Sequence, residues 1–165
     1  MVRKPMTTAL ITAAAISLAV PAVATTMVRD VDVEIDMEAI ENFRGATQWN
    51  NVSEDLEDEI MQRISSQLTD EESGAKITVD IDELSLATTL EKAARVEDSV
   101  LSGAVSVTNP SDNSEFEHYD LTVTFLEIGP FFPEGTDLTK ITTDSEEYYT
   151  TMVDVFADRV AEKLK

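Results

Sequence analysis

The sequence predicts an α+β domain: a mainly antiparallel four-stranded sheet carrying two amphipathic helices on one face, in the order β-α-β-β-β-α. Three observations carry that expectation. Val31, Val33, Ile35 and Met37 alternate with Asp30, Asp32, Glu34 and Asp36, the period of two of a half-buried strand. Leu56, Ile60, Ile64 and Leu68 recur every fourth residue, and Tyr149, Met152, Val153, Phe156, Val160 and Leu164 fall at helical spacing; each set marks the apolar stripe of a helix.

Ahead of the first strand, residues 1–24 have the three parts of a secretory signal peptide. Arg3 and Lys4 form a basic start, Ala9 to Val20 an apolar stretch, and Pro21-Ala22-Val23-Ala24 a small-residue end. The stretch is shorter than the roughly 20 apolar residues of a spanning helix. Cleavage is therefore expected between Ala24 and Thr25, leaving residues 25–165 as a single domain in the periplasm or outside the cell, with no stable membrane anchor. The chain has no cysteine, so neither a lipid-bearing cysteine nor a disulfide is available and stability must come from an apolar core.

After the first strand, Glu38 to Asn51 mixes apolar and polar residues around Gly45 and the sole tryptophan, Trp49, and reads as a loop or short irregular helix. The first helix is expected from about Ser53 to Leu68, with Asn51 and Glu54, or Ser53 alone, at its N-cap. Glu54, Asp55, Glu57, Asp58 and Glu59 crowd its first turns, where the helix dipole favours negative charge. Ile77, Val79 and Ile81 then alternate, and Leu84 and Leu86 follow on the opposite parity, which predicts a bulge near Asp82 and Glu83. Leu101, Val105 and Val107 mark a third strand. The turn formers Asn109 to Ser114 end it, and Tyr119, Leu121, Val123 and Phe125 face one side of a fourth, making an antiparallel hairpin. Two prolines and two glycines within Gly129–Gly135 exclude regular structure there. Thr143 with Glu146, or Asp144 with Glu147, offers a capping box for the last helix.

Charge narrows the possible partners. The chain carries 33 acidic and 12 basic residues, and loss of Arg3 and Lys4 with the leader takes its net charge from −21 to −23. A polyanion of this strength repels nucleic acid and anionic lipid surfaces. Its basic residues are scattered, with no stripe. Solubility is the simplest use of such acidity; recruitment of cations or of a basic partner is the alternative.

No motif for catalysis, cofactor or metal emerges, so no residues are assigned to those roles. Asp30, Asp32, Glu34 and Asp36 could form an acidic ladder with Asp80 and Asp82, but successive same-face strand residues lie about 7 Å apart, and no calcium loop with its turn glycine accompanies them. His118 is the single histidine, on the polar parity of its strand without companion nucleophile or ligand. The best candidates for partner contact are Trp49 and the pair Phe131 and Phe132, which Pro130 and Pro133 would hold in an extended, preorganised segment.

The runs Lys76-Ile77-Thr78-Val79-Asp80-Ile81 and Val100-Leu101-Ser102-Gly103-Ala104-Val105, the turn Asn109 to Ser114 and the closing amphipathic helix give a layout that resembles small exported α/β proteins of Gram-negative bacteria. In element order it is similar to envelope auxiliary domains such as the N-terminal domain of the Tol system's propeller protein and transport-auxiliary lipoproteins, whose lipid cysteine this chain lacks. The resemblance implies a non-enzymatic interaction or auxiliary domain whose partner is another envelope protein. An acidic divalent-cation-binding protein and a hydrolase with an unrecognised carboxylate pair are the competing classes.

Overall fold

A computed structural model describes residues 25–35, 47–85, 99–112 and 116–164. Residues 1–24, 36–46, 86–98, 113–115 and 165 lie outside the described residues, and with them Ala24, Met37, Leu86 and Ser114. Four strands, β1 (Val28–Ile35), β2 (Ala75–Ser85), β3 (Val100–Thr108) and β4 (Glu117–Thr124), form one sheet in the order β1-β2-β3-β4. Helices α1 (Val52–Arg63) and α3 (Glu146–Lys163) pack on each other over one face of it, and a helical turn, α2 (Phe125–Ile128), follows β4 directly. The chain is thus an α+β domain with a mostly antiparallel sheet.

The departure from antiparallel pairing has a simple cause. Helix α1 carries the chain back to the start of the sheet, so β2 pairs with β1 in parallel, matching Val31 with Ile77, Val33 with Val79 and Ile35 with Ile81; such a return requires a crossover element of this kind. Strands β2 and β3, and β3 and β4, pair antiparallel. The switch of apolar parity in β2 is a register shift between Ile81 and Glu83, which keeps both Ile81 and Leu84 buried.

Alternation puts Val31, Val33, Ile77, Val79, Leu101, Val105 and Val123 under the helices, where they meet Leu56, Ile60 and Ile64 from the α1 segment and Tyr148, Met152, Phe156 and Val160 of α3. Each fully buried side chain of this size contributes on the order of 1.5–3 kcal/mol. The other sheet face is polar. There Lys76 Nζ sits 2.7 Å from Asp32 and 3.6 Å from Asp30, so the bond to Asp32, reinforced by Asp30, raises its pKa. The first part of the acidic ladder is answered by a lysine of the neighbouring strand.

Several local details differ from the sequence reading. Helix α1 ends at Arg63, because Leu68 leaves it to pair with Val28 and the Thr69 N–H donates to the Val28 carbonyl at 2.9 Å. Asn51 occupies the N-cap position without a side-chain bond, while the Ser53 hydroxyl donates to the Val33 carbonyl. Helix α3 is capped by Ser145, whose Oγ accepts from the Tyr148 N–H at 3.2 Å, in place of Thr143 or Asp144. Phe125 belongs to α2: the Thr124 N–H and Oγ1 both reach Glu127 Oε2, at 2.9 and 3.0 Å, a reciprocal cap that stops the strand. Gly129–Phe131 is a single 3₁₀ turn with Pro130 near its start, where a missing N–H costs nothing.

One arginine joins the two long helices. Arg63 is ion-paired with Glu59 on its own helix and with Asp154 and Asp158 of α3; burial works against its charge, and bonds to Asp158, Glu59 and Asp154 more than offset it, so its pKa is raised. Arg63→Met keeps the apolar stem and leaves three carboxylates facing one another. We expect a loss of about 1–2 kcal/mol at low salt, the charge-assisted bonds being discounted for solvent screening. The difference from wild type should shrink in high salt, as urea titrations at two ionic strengths would show.

Candidate functional site

Helical spacing places Val155, Asp158, Arg159, Glu162 and Lys163 of α3 along one side, and the alternation of β4 points Tyr119 and Leu121 toward them. Between these rows, and lined also by Phe131, runs a groove of about 600 Å³. Phe131 is 59% exposed and the nearby Leu126 67% exposed. Isolated exposed apolar residues are ordinary, but here one borders a concavity.

Two charged contacts shape the groove. Arg159 donates to Glu127 Oε1 at 3.0 Å, tying α3 to the turn after β4. Burial opposes the Glu127 charge, but the Thr124 bonds and Arg159 together hold its pKa below the ordinary value. Lys163 Nζ lies 5.5 Å from the centroid of the Tyr119 ring, within cation–π range. Burial, with the charge of Glu117, pushes the Tyr119 phenol up to about 12. Its hydroxyl makes no hydrogen bond among the described residues, an unusual state for a buried polar atom.

The three aromatic residues singled out from sequence have different fates. Phe131 faces the groove. Phe132 turns inward onto Phe125 at 6.3 Å between centroids, and Phe125 stacks on Tyr148 at 6.0 Å and 19°. Trp49 is 1% exposed and lies in the core instead of on the surface: its Nε1 donates to the Thr143 carbonyl at 3.1 Å, and Tyr149 meets it edge-on at 4.9 Å. These rings thus link the loop after β4 to the centre of the molecule. His118 is exposed, with Nδ1 2.9 Å from Ser106 Oγ.

A second, shallower cleft of about 270 Å³ lies between α1 and α3, lined by Asp55, Asp58, Glu59, Tyr149, Thr150, Val153 and Asp154. Its carboxylates are largely engaged. Asp55 accepts from the Tyr149 hydroxyl, and Glu59 and Asp154 turn to Arg63. Among the described residues no three acidic or histidine side chains are grouped to hold a metal ion, and no helix is long and apolar enough to cross a membrane.

Tyrosine burial makes a prediction about alkaline pH. Burial pushes Tyr148 up to about 12, with Ser99 opposing the shift. Burial raises Tyr149 as well, reinforced by Asp55. A pKa raised by folding gives stability that is complete below the unfolded value and lost as pH climbs through the folded one. Urea midpoints should therefore fall from about pH 10 upward, with tyrosinate absorbance appearing together with unfolding. Tyr149→Phe should reduce that slope.

No protein-family model matches the chain, and no curated protein sequence does. A solved structure does share its fold. A Xanthomonas campestris protein of the family DUF330 superposes with a TM-score of 0.51 at 11% identity, covering 87% of this chain and 88% of its own. A minor lipoprotein of Acinetobacter baumannii gives 0.42 at 12% identity, over 84% and 92%. A protein of Chlamydia trachomatis gives 0.44 at 13% identity, over 86% and 94%.

Proposed function

We propose that this chain is an exported, non-enzymatic interaction module of the bacterial envelope, which contacts another protein through the face formed by β4, α3 and the Phe131–Phe132 loop. The observation that carries the reading is the groove itself, since it places the exposed Phe131 ring beside Tyr119, Leu121 and Val155. Apolar floor, charged rim and an aromatic anchor are the parts from which specific protein contacts are built. Phe132, packed on Phe125, fixes the loop that presents Phe131, which lowers the entropy lost on binding. Export follows from the leader, with Thr25 as the first residue after cleavage, and the acidic surface keeps free copies apart.

Crosslinking in intact cells, followed by affinity recovery and mass spectrometry against an untagged control, tests the reading. The expected product is a chain beginning at Thr25 joined reproducibly to one envelope protein. An uncleaved chain contradicts export, and recovery of monomer alone contradicts the interaction role.

A further inference from the structure

The two outer edges of the sheet are treated differently. On β1, the Val33 N–H donates to Glu57 Oε1 at 2.9 Å, the Val33 carbonyl accepts from Ser53, and the Val28 carbonyl is taken by Thr69. That edge is covered by α1 and the segment after it. On β4, the bond from the Phe125 N–H to the Ser99 carbonyl at 3.2 Å continues the register that pairs Val100 with Thr124 and Leu101 with Val123. In an antiparallel ladder bonded and non-bonded pairs alternate, so Val123, Leu121 and Tyr119 direct their backbone groups to β3. Thr122, Asp120 and His118 direct theirs outward. The Thr124 N–H, on the same outward parity, is taken by Glu127, and among the described residues nothing bonds to the outward amides and carbonyls of His118, Asp120 and Thr122.

Proteins ordinarily blunt a free edge, because it templates pairing with another strand. Resting on the interaction-module reading above, we infer that β4 accepts a fifth strand: an extended segment of a basic partner protein, with apolar residues on one side and lysine or arginine on the other. The groove supplies the first specificity. Side chains of an added strand that point to the helix side enter the space lined by Tyr119, Leu121, Phe131 and Val155, and those on the opposite side pass Asp120. Charge supplies the second. Asp120, Asp158 and Glu162 line the groove together with Arg159 and Lys163, but the chain as a whole carries a net charge of −21, so a basic segment is attracted at long range. A second copy is repelled, since pairing β4 with itself brings two Asp120 side chains together.

The test uses the protein purified as it accumulates in cells and a synthetic peptide of alternating lysine and valine, with amide hydrogen exchange read by NMR. At ten times its dissociation constant, the peptide should slow exchange about tenfold at His118, Asp120 and Thr122, and leave Asp32 on β1 unchanged. A glutamate–valine peptide, and a lysine–valine peptide N-methylated on alternate amides, should lose the effect. Binding without protection at β4, equal protection by the glutamate peptide, or persistence after N-methylation overturns strand addition. Protection that grows with protein concentration alone overturns it in favour of a second copy. If β4 stays unprotected while cells still yield a crosslinked partner, strand addition fails and the interaction module stands; if neither is found, both fail.

Discussion

Replacing Trp49 with alanine should cost about 3–5 kcal/mol, the range for truncating a buried aromatic residue. Its indole fills the space between the turn Thr47–Asn51 and the start of α3, and its surroundings cannot close in easily: Tyr148 and Tyr149 lie at 6.2 and 4.9 Å on a helix already fixed to the sheet. For a domain whose whole stability is about 5–15 kcal/mol, that loss approaches unfolding. Trp49→Phe separates the two contributions. It retains most of the apolar volume but removes the bond to the Thr143 carbonyl, and should lose about 1 kcal/mol for the bond, plus a smaller packing loss. Urea unfolding followed by far-ultraviolet circular dichroism would measure both variants. A mild effect of Trp49→Ala would mean that the ring is more accessible than its position implies, and would restore it as a candidate for partner contact.

The second large effect is expected at Gly103, where strand propensity and structure disagree. Valine is a better strand residue than glycine, so propensity alone predicts that Gly103→Val stabilises β3. A Cβ at this position would stand 2.7 Å from the Asp80 carbonyl oxygen and 3.0 Å from Ile81 Cδ1. The first of these is backbone of a central strand and cannot swing aside. Gly103 also pairs with Ile81, the last residue before the β2 register shift, so the absence of a side chain lets β3 approach the bulged strand closely. We expect Gly103→Val to lose about 3 kcal/mol or more and Gly103→Ala about 1–3 kcal/mol, as overpacking does. Ala104→Val, on the polar side of the same strand, should be close to neutral. If Gly103→Val raised the urea midpoint, the close approach of β2 and β3 would be wrong.

The core of the fold was legible because it rests on periodicity. Alternation marked β1 to β4, the parity switch from Ile81 to Leu84 marked the bulge, and the stripe through Met152, Phe156 and Val160 marked α3. What was not legible depends on tertiary contacts. Thr142, Thr143, Asp144 and Ser145 are all good caps, and the choice of Ser145 follows from Thr143 being drawn into the core, where its carbonyl meets Trp49. Leu68 has the right spacing for α1, yet pairing of its segment with Val28 removes it from the helix.

The groove was half visible. Tyr119, Leu121 and Phe131 stood out as an apolar strand face and an aromatic turn. Val155, Arg159 and Lys163 lie one step off the core stripe of α3, and only the seating of the helix on the sheet brings them opposite β4. An apolar Val155 outside the main stripe was the one signal that could have pointed there. The β4 edge, whose outward groups go unbonded among the described residues, was hidden for a different reason, since its recognition needs the strand order and the direction of each backbone bond.

The most direct test of the interaction surface is position-resolved photo-crosslinking in intact cells. A photoreactive amino acid would replace Phe131 at the groove, Asp120 on β4, or Thr78 on the polar face away from both. The same crosslinked protein is expected from positions 131 and 120 and none from position 78; a crosslink from position 78 alone, or equal yields from all three, would place the contact elsewhere than the groove and the β4 edge.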